Sequence, residues 1–255
     1  MSELPAVPVE SPTENRLLGG RVTLRQPSRG YRAGLDAALL AAACDSAPGA
    51  RVIEAGCGAG AVLMVGATRR PGVHFTGVER DAEALALAKE NAALNGLAER
   101  VTALSGNIDA GFAALGLAPF DAALANPPFF DDPAALRAPA IEKRGAWMAE
   151  AGLEAWTTFL LKAVREGGTI TLIHRADRLA DILSGLGKGA GSFQVRPIHP
   201  FADAAAKRVL VRAIKTGKAP LRLLPALVLH PRDGATKHTP EAEAVLRGET
   251  DLPWN

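Results

Sequence analysis

An α/β fold is predicted by three features of the sequence. Between residues 50 and 190, short strand-like runs alternate with helix-like runs. A glycine-rich turn follows the first of these strands. Near the C-terminus, two extended segments with a short connection favour an antiparallel pair. Strand–helix alternation implies a parallel sheet between two helical layers. The expected architecture is therefore a Rossmann-like, doubly wound sheet of seven strands. It is mostly parallel, with an antiparallel C-terminal edge strand.

Each element has a local reason. Residues 1–15 (MSELPAVPVESPTEN) read as a disordered arm, and residues 16–49 as a hairpin and a helix. GGRVTLRQP (19–27) alternates apolar and polar residues after two glycines, as a small hairpin or edge strand does. GLDAALLAAACDSAPG (34–49) is a short Ala/Leu helix stopped by Pro48 and Gly49. The main domain is expected over 50–217. Its strands are ARVIEA (50–55), VHFTGVE (73–79), RVTALSG (100–106), FDAALAN (120–126) and GTITLIHR (168–175). Helices are expected from the glycine turn to about Arg69 and over 81–96, 154–168 and 176–189. In the second of these, Leu85, Ala88 and Ala92 share a face and Gly96 ends the helix. The stretch 129–150 has no clear period and reads as a loop. SFQVRPIHPF (192–201) and AKRVLVRAIKTG (206–217) form the antiparallel pair. Residues 218–255 read as an extended segment and a tail.

Composition narrows the class. A chain of 255 residues, 48% hydrophobic, suits one large α/β domain or one domain with appendages. With 22% charged residues it does not have the composition of a disordered chain. The net charge of +2 is too small to mark a nucleic-acid binder by itself, so such a partner must be argued from local patches. Cys44 and Cys57 show neither a disulfide framework nor metal-ligand spacing and read as buried, reduced thiols. The five histidines form no metal or triad pattern, and His199 and His230 read as structural. The N-terminus lacks a basic-then-apolar signal segment, and no apolar run approaches the roughly 20 residues that span a bilayer. A soluble, cytoplasmic protein is expected.

The unusual clusters fall at strand ends, where ligands bind in sheets of this kind. VIEAGCGAGA (52–61) is strand, tight turn and helix start, with Gly56, Gly58 and Gly60 spaced G-x-G-x-G. The dinucleotide fingerprint needs its last glycine or alanine at residue 61, which is Ala61, so the glycines alone do not identify the cofactor. A G-K-[ST] phosphate loop is absent from the sequence. Glu54, two positions before the first glycine, would repel a pyrophosphate and suit a cation. S-adenosylmethionine, with its ammonium and sulfonium, is such a ligand. The alternative is that Glu54 ties a nearby backbone N–H. Glu79 ends the second strand and can accept bonds from two ribose hydroxyls. After the third strand, Asn107 and Asp109 are both candidates to meet an adenine amino group, Asn107 being favoured because it follows the strand directly. They also suit a plain turn. Asp36 either caps its helix or helps shape the cofactor pocket.

The series E-A-G-C-G-A-G, V-E-R-D (with Glu79 and Arg80), G-N-I-D and N-P-P-F resembles the class I S-adenosylmethionine-dependent methyltransferases. N-P-P-F (126–129) is similar to the [D/N/S]-P-P-[Y/F/W] motif of their amino-methylating branch. Within that branch, QPSRGYRAGLDAALLAAA, N-P-P-F and the RVLVRAIK strand resemble the bacterial tRNA1(Val) adenine-37 N6-methyltransferase family. The resemblance covers roughly residues 20–230. It implies Glu54, Gly56, Gly58, Gly60, Glu79, Arg80, Asn107, Asp109 and Asn126 at the cofactor, and Asn126, Pro127, Pro128 and Phe129 at the acceptor. An exocyclic adenine amine is a poor nucleophile because its lone pair is delocalised. The Asn126 side-chain oxygen would accept one N–H and the Pro127 carbonyl the other. Prolines stiffen the loop, and Phe129 would stack on the base. Phe130 reads as a core residue.

The expected function is N6-methylation of an adenine in RNA, in particular tRNA. The alternatives are glutamine N5-methylation of a protein, small-molecule methylation, or a non-enzymatic RNA- or cofactor-binding module. Arg137, Lys143, Arg144 and Arg212 are the expected substrate-binding cations. Arg208, Lys215, Lys218 and Arg222, with Arg29 and Arg32, are further phosphate-tracking candidates. Tyr31 and Trp147 either stack on a base or pack. No metal and no membrane are expected, and the protein would be a monomer or homodimer.

Overall fold

The computed structural model describes residues 12–28, 33–129, 152–234 and 236–255. It opens with an antiparallel hairpin of β1 (Thr13–Leu17) and β2 (Val22–Gln26). The first strand thus begins inside the stretch expected to be a disordered arm. In β2, Val22 and Leu24 point into the core, as the alternation requires. The helix α1 (Leu35–Ala42) is apolar nearly all round and accordingly buried from Ala37 onward.

The main sheet follows. Its first half consists of β3 (Arg51–Ala55), α2 (Ala61–Arg69), β4 (His74–Glu79), α3 (Ala82–Leu94), β5 (Val101–Ser105) and β6 (Phe120–Ala125). The second half contains α4 (Leu153–Ala163), β7 (Val164–Arg175), α5 (Leu179–Leu186), β8 (Ala190–His199) and β9 (Arg208–Lys215). Two short strands, β10 (Arg222–Leu223) and β11 (Leu227–Val228), and the helix α6 (Pro240–Arg247) complete the chain. The strand order is β10-β8-β9-β7-β6-β3-β4-β5, with β11 also on β8. Strands β3 to β7 are mutually parallel. From β3 the chain runs outward through β4 and β5, then crosses back to place β6 on the other side of β3. The switch in strand order therefore lies between β3 and β6, and sheets of this kind bind ligands at that point, outside the carboxyl ends of their strands.

Two expectations about the sheet are corrected. It has nine strands rather than seven, because β10 and β11 each add two residues to β8. They are separate because Pro225 between them supplies no backbone N–H. Nor is the antiparallel strand an edge. β8 lies two places beyond β7 and β9 returns into the gap, antiparallel to both neighbours. This satisfies β9 along both sides and leaves β8 to be covered by the short strands.

The core lies on both faces of the sheet. One face packs α1, α2, α3, the hairpin and α6, and the other packs α4 and α5. Asp81 caps α3, its side chain accepting from the Ala84 N–H at 2.8 Å. Asn91 on α3 and Asn95 at its C-cap serve the edge of β2. Asn91 accepts from the Arg25 N–H at 2.8 Å and donates to the Arg25 and Ala59 carbonyls, while Asn95 pairs in the same way with Thr23. The last residues are not a loose tail. Trp254 is buried, and its indole N–H donates to the Ala43 carbonyl at 2.8 Å.

Candidate active site

The candidate site has two halves, and the first is built around the turn from β3 into α2. Gly56, Gly58 and Gly60 all have positive φ, at 64°, 53° and 83°. Their roles differ. A Cβ on Gly56 would lie 2.3 Å from the Trp156 ring of α4, so this glycine lets the helix close on the turn. A Cβ on Gly58 would meet nothing within 4 Å, so this is the glycine whose open side a ligand can approach. Gly60 lies against Met64 and Ala88 of α2 and α3.

Glu54 sits beneath this turn, 2% exposed. Its Oε2 is buried without a hydrogen-bond partner. Burial, and then the neighbouring Glu79 charge, push its carboxyl well above the usual range, while the Leu63 N–H opposes the shift. An orphaned buried carboxyl oxygen is the natural partner of a ligand ammonium. The backbone-tying alternative accounts for one interaction of Glu54 and leaves Oε2 unexplained.

Glu79 ends β4 and shapes the same turn. Its Oε2 accepts from the Gly58 N–H at 2.8 Å, and its Oε1 accepts from the Arg80 and Asp81 N–H groups at 2.9 Å. These bonds fix the carboxylate at the edge of the site, and its remaining lone pairs can accept ribose hydroxyls. Arg80 is exposed beside it. Beyond β5, Asn107 caps a short 3-10 turn (Ile108–Ala110), accepting from the Asp109 N–H at 3.1 Å. Asn107 and Asp109 are both exposed on this rim, and Ile108 between them is buried.

The second half starts one strand away. In the β3–β6 register Ala55 is paired with Ala125. Gly56 and Asn126 therefore leave adjacent strands at the same level. Asn126 is half-buried, Pro127 buried, and Pro128 and Phe129 half-buried. Two distant residues meet Phe129, and a third holds one of them. The Arg208 guanidinium, at the start of β9, lies over its ring, 4.5 Å from the centroid. Arg208 is held in turn by Asp36, its Nε donating to Oδ2 at 3.0 Å. His174, near the end of β7, meets the ring edge-on with centroids 5.1 Å apart. His174 is 2% exposed and no well-formed hydrogen bond is made at either ring nitrogen, the Pro128 carbonyl being close enough only to oppose the fall in its pKa. Burial, then Arg175 and Arg208, bring its pKa down from 6.5 to about 4, so it is neutral.

Several sequence expectations are revised here. Asp36 does not cap α1: the N-cap is Gly34 and makes no side-chain bond. Arg212 is not brought to the site. Its guanidinium pairs with Asp45 at 2.9 Å, bonds Gln194 and lies toward the Trp254 ring. Arg208 is occupied by Asp36 and Phe129, Lys215 donates to the Val164 carbonyl, and Arg222 to that of Trp254. Arg137, Lys143, Arg144, Arg29, Arg32, Tyr31, Phe130 and Trp147 lie outside the described residues. His199 and His230 do pack structurally, donating to the Ala204 and Lys237 carbonyls. Both cysteines are buried and free. Among the described residues no group of three or more His, Cys, Asp or Glu could hold a metal ion, and no helix is long and apolar enough to cross a membrane.

Sequence reasoning missed His174, the Asp36–Arg208 pair, and the support from Trp156 and Asn91. A histidine inside the apolar run TLIHR was a visible signal. So were two asparagines at helical spacing, in α3 and at its C-cap. Nothing local linked Asp36 to Arg208, 172 positions apart.

The comparisons with known proteins agree with this geometry. Residues 32–146 match the methyltransferase small domain family. The chain is 30% identical over 165 residues to a release factor glutamine methyltransferase of Chlorobaculum tepidum, covering 62% of this chain and 56% of the relative. It is 30% identical over 169 residues to a tRNA1(Val) (adenine(37)-N6)-methyltransferase of Porphyromonas gingivalis, covering 64% and 66%. The chain thus spans about half to two thirds of the length of these relatives. Among solved structures, a predicted O-methyltransferase from Agrobacterium tumefaciens superposes with a TM-score of 0.72 at 26% identity, covering 85% of this chain and 98% of that one. An S-adenosylmethionine-dependent O-methyltransferase from Thermotoga maritima, at 20% identity and a TM-score of 0.54, shares the fold. Residues 32–146 are thus similar to the methyltransferase small domain family, and the chain shares its fold with solved methyltransferases.

Proposed function

We propose that the protein transfers a methyl group from S-adenosylmethionine to the exocyclic N6 of an adenine in RNA, with tRNA as the substrate. The observation that carries this reading is the Ala55–Ala125 pairing, which sets the glycine turn and Asn126-Pro127-Pro128-Phe129 side by side at the strand-order switch. When bound, S-adenosylmethionine supplies an electrophilic methyl group on a sulfonium.

The residues on the cofactor side fit that group. Glu54 would receive its ammonium, which explains the orphaned Oε2. Gly58 leaves room for its approach, Glu79 would hold the ribose hydroxyls, and Asn107 and Asp109 border the adenine side. On the acceptor side, the Asn126 side-chain oxygen and the Pro127 carbonyl would each accept one N–H of a planar amine. This orients the nitrogen lone pair and reduces its delocalisation. Phe129 stacks on the base, a contact worth about 1–3 kcal/mol in comparable cases. Neutral Asn126 cannot take a full proton, so its role is positioning, and the amine loses its proton after transfer.

Hydroxyl methylation fits less well. An alcohol acceptor needs a general base, and the imidazole nearest the acceptor loop, His174, is buried with a pKa of about 4. Glutamine methylation is the second reading, supported by the relatives named for that activity. A primary amide presents the same pair of N–H groups on a planar nitrogen. Radiolabel transfer from S-adenosylmethionine to total tRNA and, separately, to purified release factors decides between them. Label is expected in tRNA as N6-methyladenosine, and label in the release factor alone overturns the proposal.

A further inference from the structure

Phe129 is the residue through which the acceptor half departs from a simple N-P-P-F loop. Its surroundings are set by three other parts of the chain: His174 on β7 and Arg208 on β9 meet it, and Asp36 on α1 holds Arg208. The guanidinium lies over the ring at 4.5 Å and is tied to Asp36 at 3.0 Å, with side-chain exposures of 29% and 16%. A pair this sheltered is poorly placed to track an RNA phosphate. A planar guanidinium suits the face of a ring, and its fork suits a carboxylate at the same time.

From this arrangement we infer that Arg208, held by Asp36, is a positioning residue for the acceptor: it fixes the Phe129 ring so that a flat, neutral nitrogen acceptor can stack on it. The inference rests on the reading of Phe129 as the acceptor's stacking partner. Two physical effects follow. The ring loses freedom before the acceptor arrives, which lowers the ordering cost of stacking. The cation over one face also draws π-density toward itself, so the opposite face is a poorer partner for a second cation. A flat, neutral base or amide keeps its stacking contact there. His174 completes the packing against the ring with an aromatic edge.

The test is a double-mutant cycle of Arg208→Ala and Phe129→Leu, read on whichever acceptor, tRNA or release factor, takes the label. Arg208→Ala is expected to raise acceptor KM about tenfold with the dissociation constant for S-adenosylmethionine unchanged. Adding it to Phe129→Leu is expected to cause no further loss, because residues acting through one contact are not additive. Arg208→Lys keeps the charge but not the plane and should behave like Arg208→Ala. The slope of acceptor affinity against salt should not change. A direct phosphate contact predicts the opposite: multiplying effects, rescue by lysine, and a slope reduced by about 0.7–0.9. Any of these overturns the inference while leaving the proposed reaction intact.

Because Arg208→Ala strands the Asp36 carboxylate, the pair Asp36→Asn with Arg208→Gln serves as a second variant. It is expected to show the same rise in KM, and a wild-type KM overturns the inference. If neither acceptor takes label, the proposed reaction fails. The contact is then read in the free protein from 4-fluorophenylalanine at position 129. Its fluorine resonance should move on Arg208→Ala, and an unmoved resonance defeats the inference regardless of acceptor.

Discussion

The proposed cofactor half and the proposed acceptor half of the site lie on adjacent strands but are assembled differently. On the cofactor side the key groups are local: Glu54 and the three glycines fall within seven residues, and Glu79 bonds to Gly58, 21 positions away. On the acceptor side the loop is local, but what holds it is not. His174 and Arg208 reach Phe129 from separate elements, and Asp36 holds Arg208 from a third. A half built from a contiguous turn keeps its geometry as long as that turn folds. A half built from distant partners depends on the whole sheet being assembled, and it can be altered by substitutions far from the loop.

The largest contrast should appear between two glycines of one turn. Gly56→Ala places a methyl group 2.3 Å from Trp156 at a φ of 64°. Overpacking and backbone strain together predict a loss of about 4 kcal/mol in stability, measured by urea denaturation. Gly58→Ala meets no neighbour and should lose only about 1 kcal/mol, yet weaken S-adenosylmethionine binding. Equal stability losses would show that the turn does not divide its work in this way.

On the acceptor side, His174 makes stability depend on acid. Its folded pKa of about 4 lies below the ordinary 6.5, so as pH falls through 6.5 the unfolded chain takes up a proton that the native protein does not. Stability is then lost progressively between pH 6.5 and 4, on the order of 3 kcal/mol in all. His174→Phe should remove that part of the slope and unfold at higher urea than wild type at pH 5. An unchanged slope would mean that the imidazole titrates normally.

Asn126→Ala should lower methyl transfer at least about 10²-fold while leaving cofactor affinity nearly unchanged, as loss of one positioning contact does. Single-turnover rates and equilibrium titration separate the two quantities. Surviving turnover would remove Asn126 from the acceptor clamp.

The smallest effect belongs to Glu54 and has an unusual sign. Its raised pKa means that, in the free protein, stability falls as pH rises above 4.5, because the unfolded chain ionises first. A ligand ammonium favours the ionised form, so binding should release a proton and tighten as pH rises. Glu54→Gln should make the free protein slightly more stable while weakening cofactor binding roughly tenfold, about 1.4 kcal/mol. Calorimetry in buffers of different ionisation enthalpy reads the released proton. Absence of proton release in the wild type would separate Glu54 from the ammonium.

The parallel strands, the capped α3 helix and the two strand-end motifs were legible because each is dictated within a short window. Glycines at a tight turn, an acid at a strand end and a proline pair after a buried strand carry their reasons with them. The cationic residues of β9 were misleading for the complementary reason. Charge is visible in sequence, but its partner is not, and folding gave Arg208 to Asp36 and Arg212 to Asp45. Likewise, Pro225 announces a break in the extended segment, but not that its two pieces lie along β8.

What the amino-acid order determined alone was the parallel α/β frame, the turn with its buried acid, and the rigid amide-and-aromatic loop. These depend on backbone geometry and on chemistry between near neighbours. Only the tertiary structure decided that β9 would lie inside the sheet, that Trp156 would close over Gly56, and that an ion pair would lie over the face of Phe129. Such contacts join residues the chain keeps far apart, and they form only where burial of the surrounding apolar surface offsets the entropy of bringing them together.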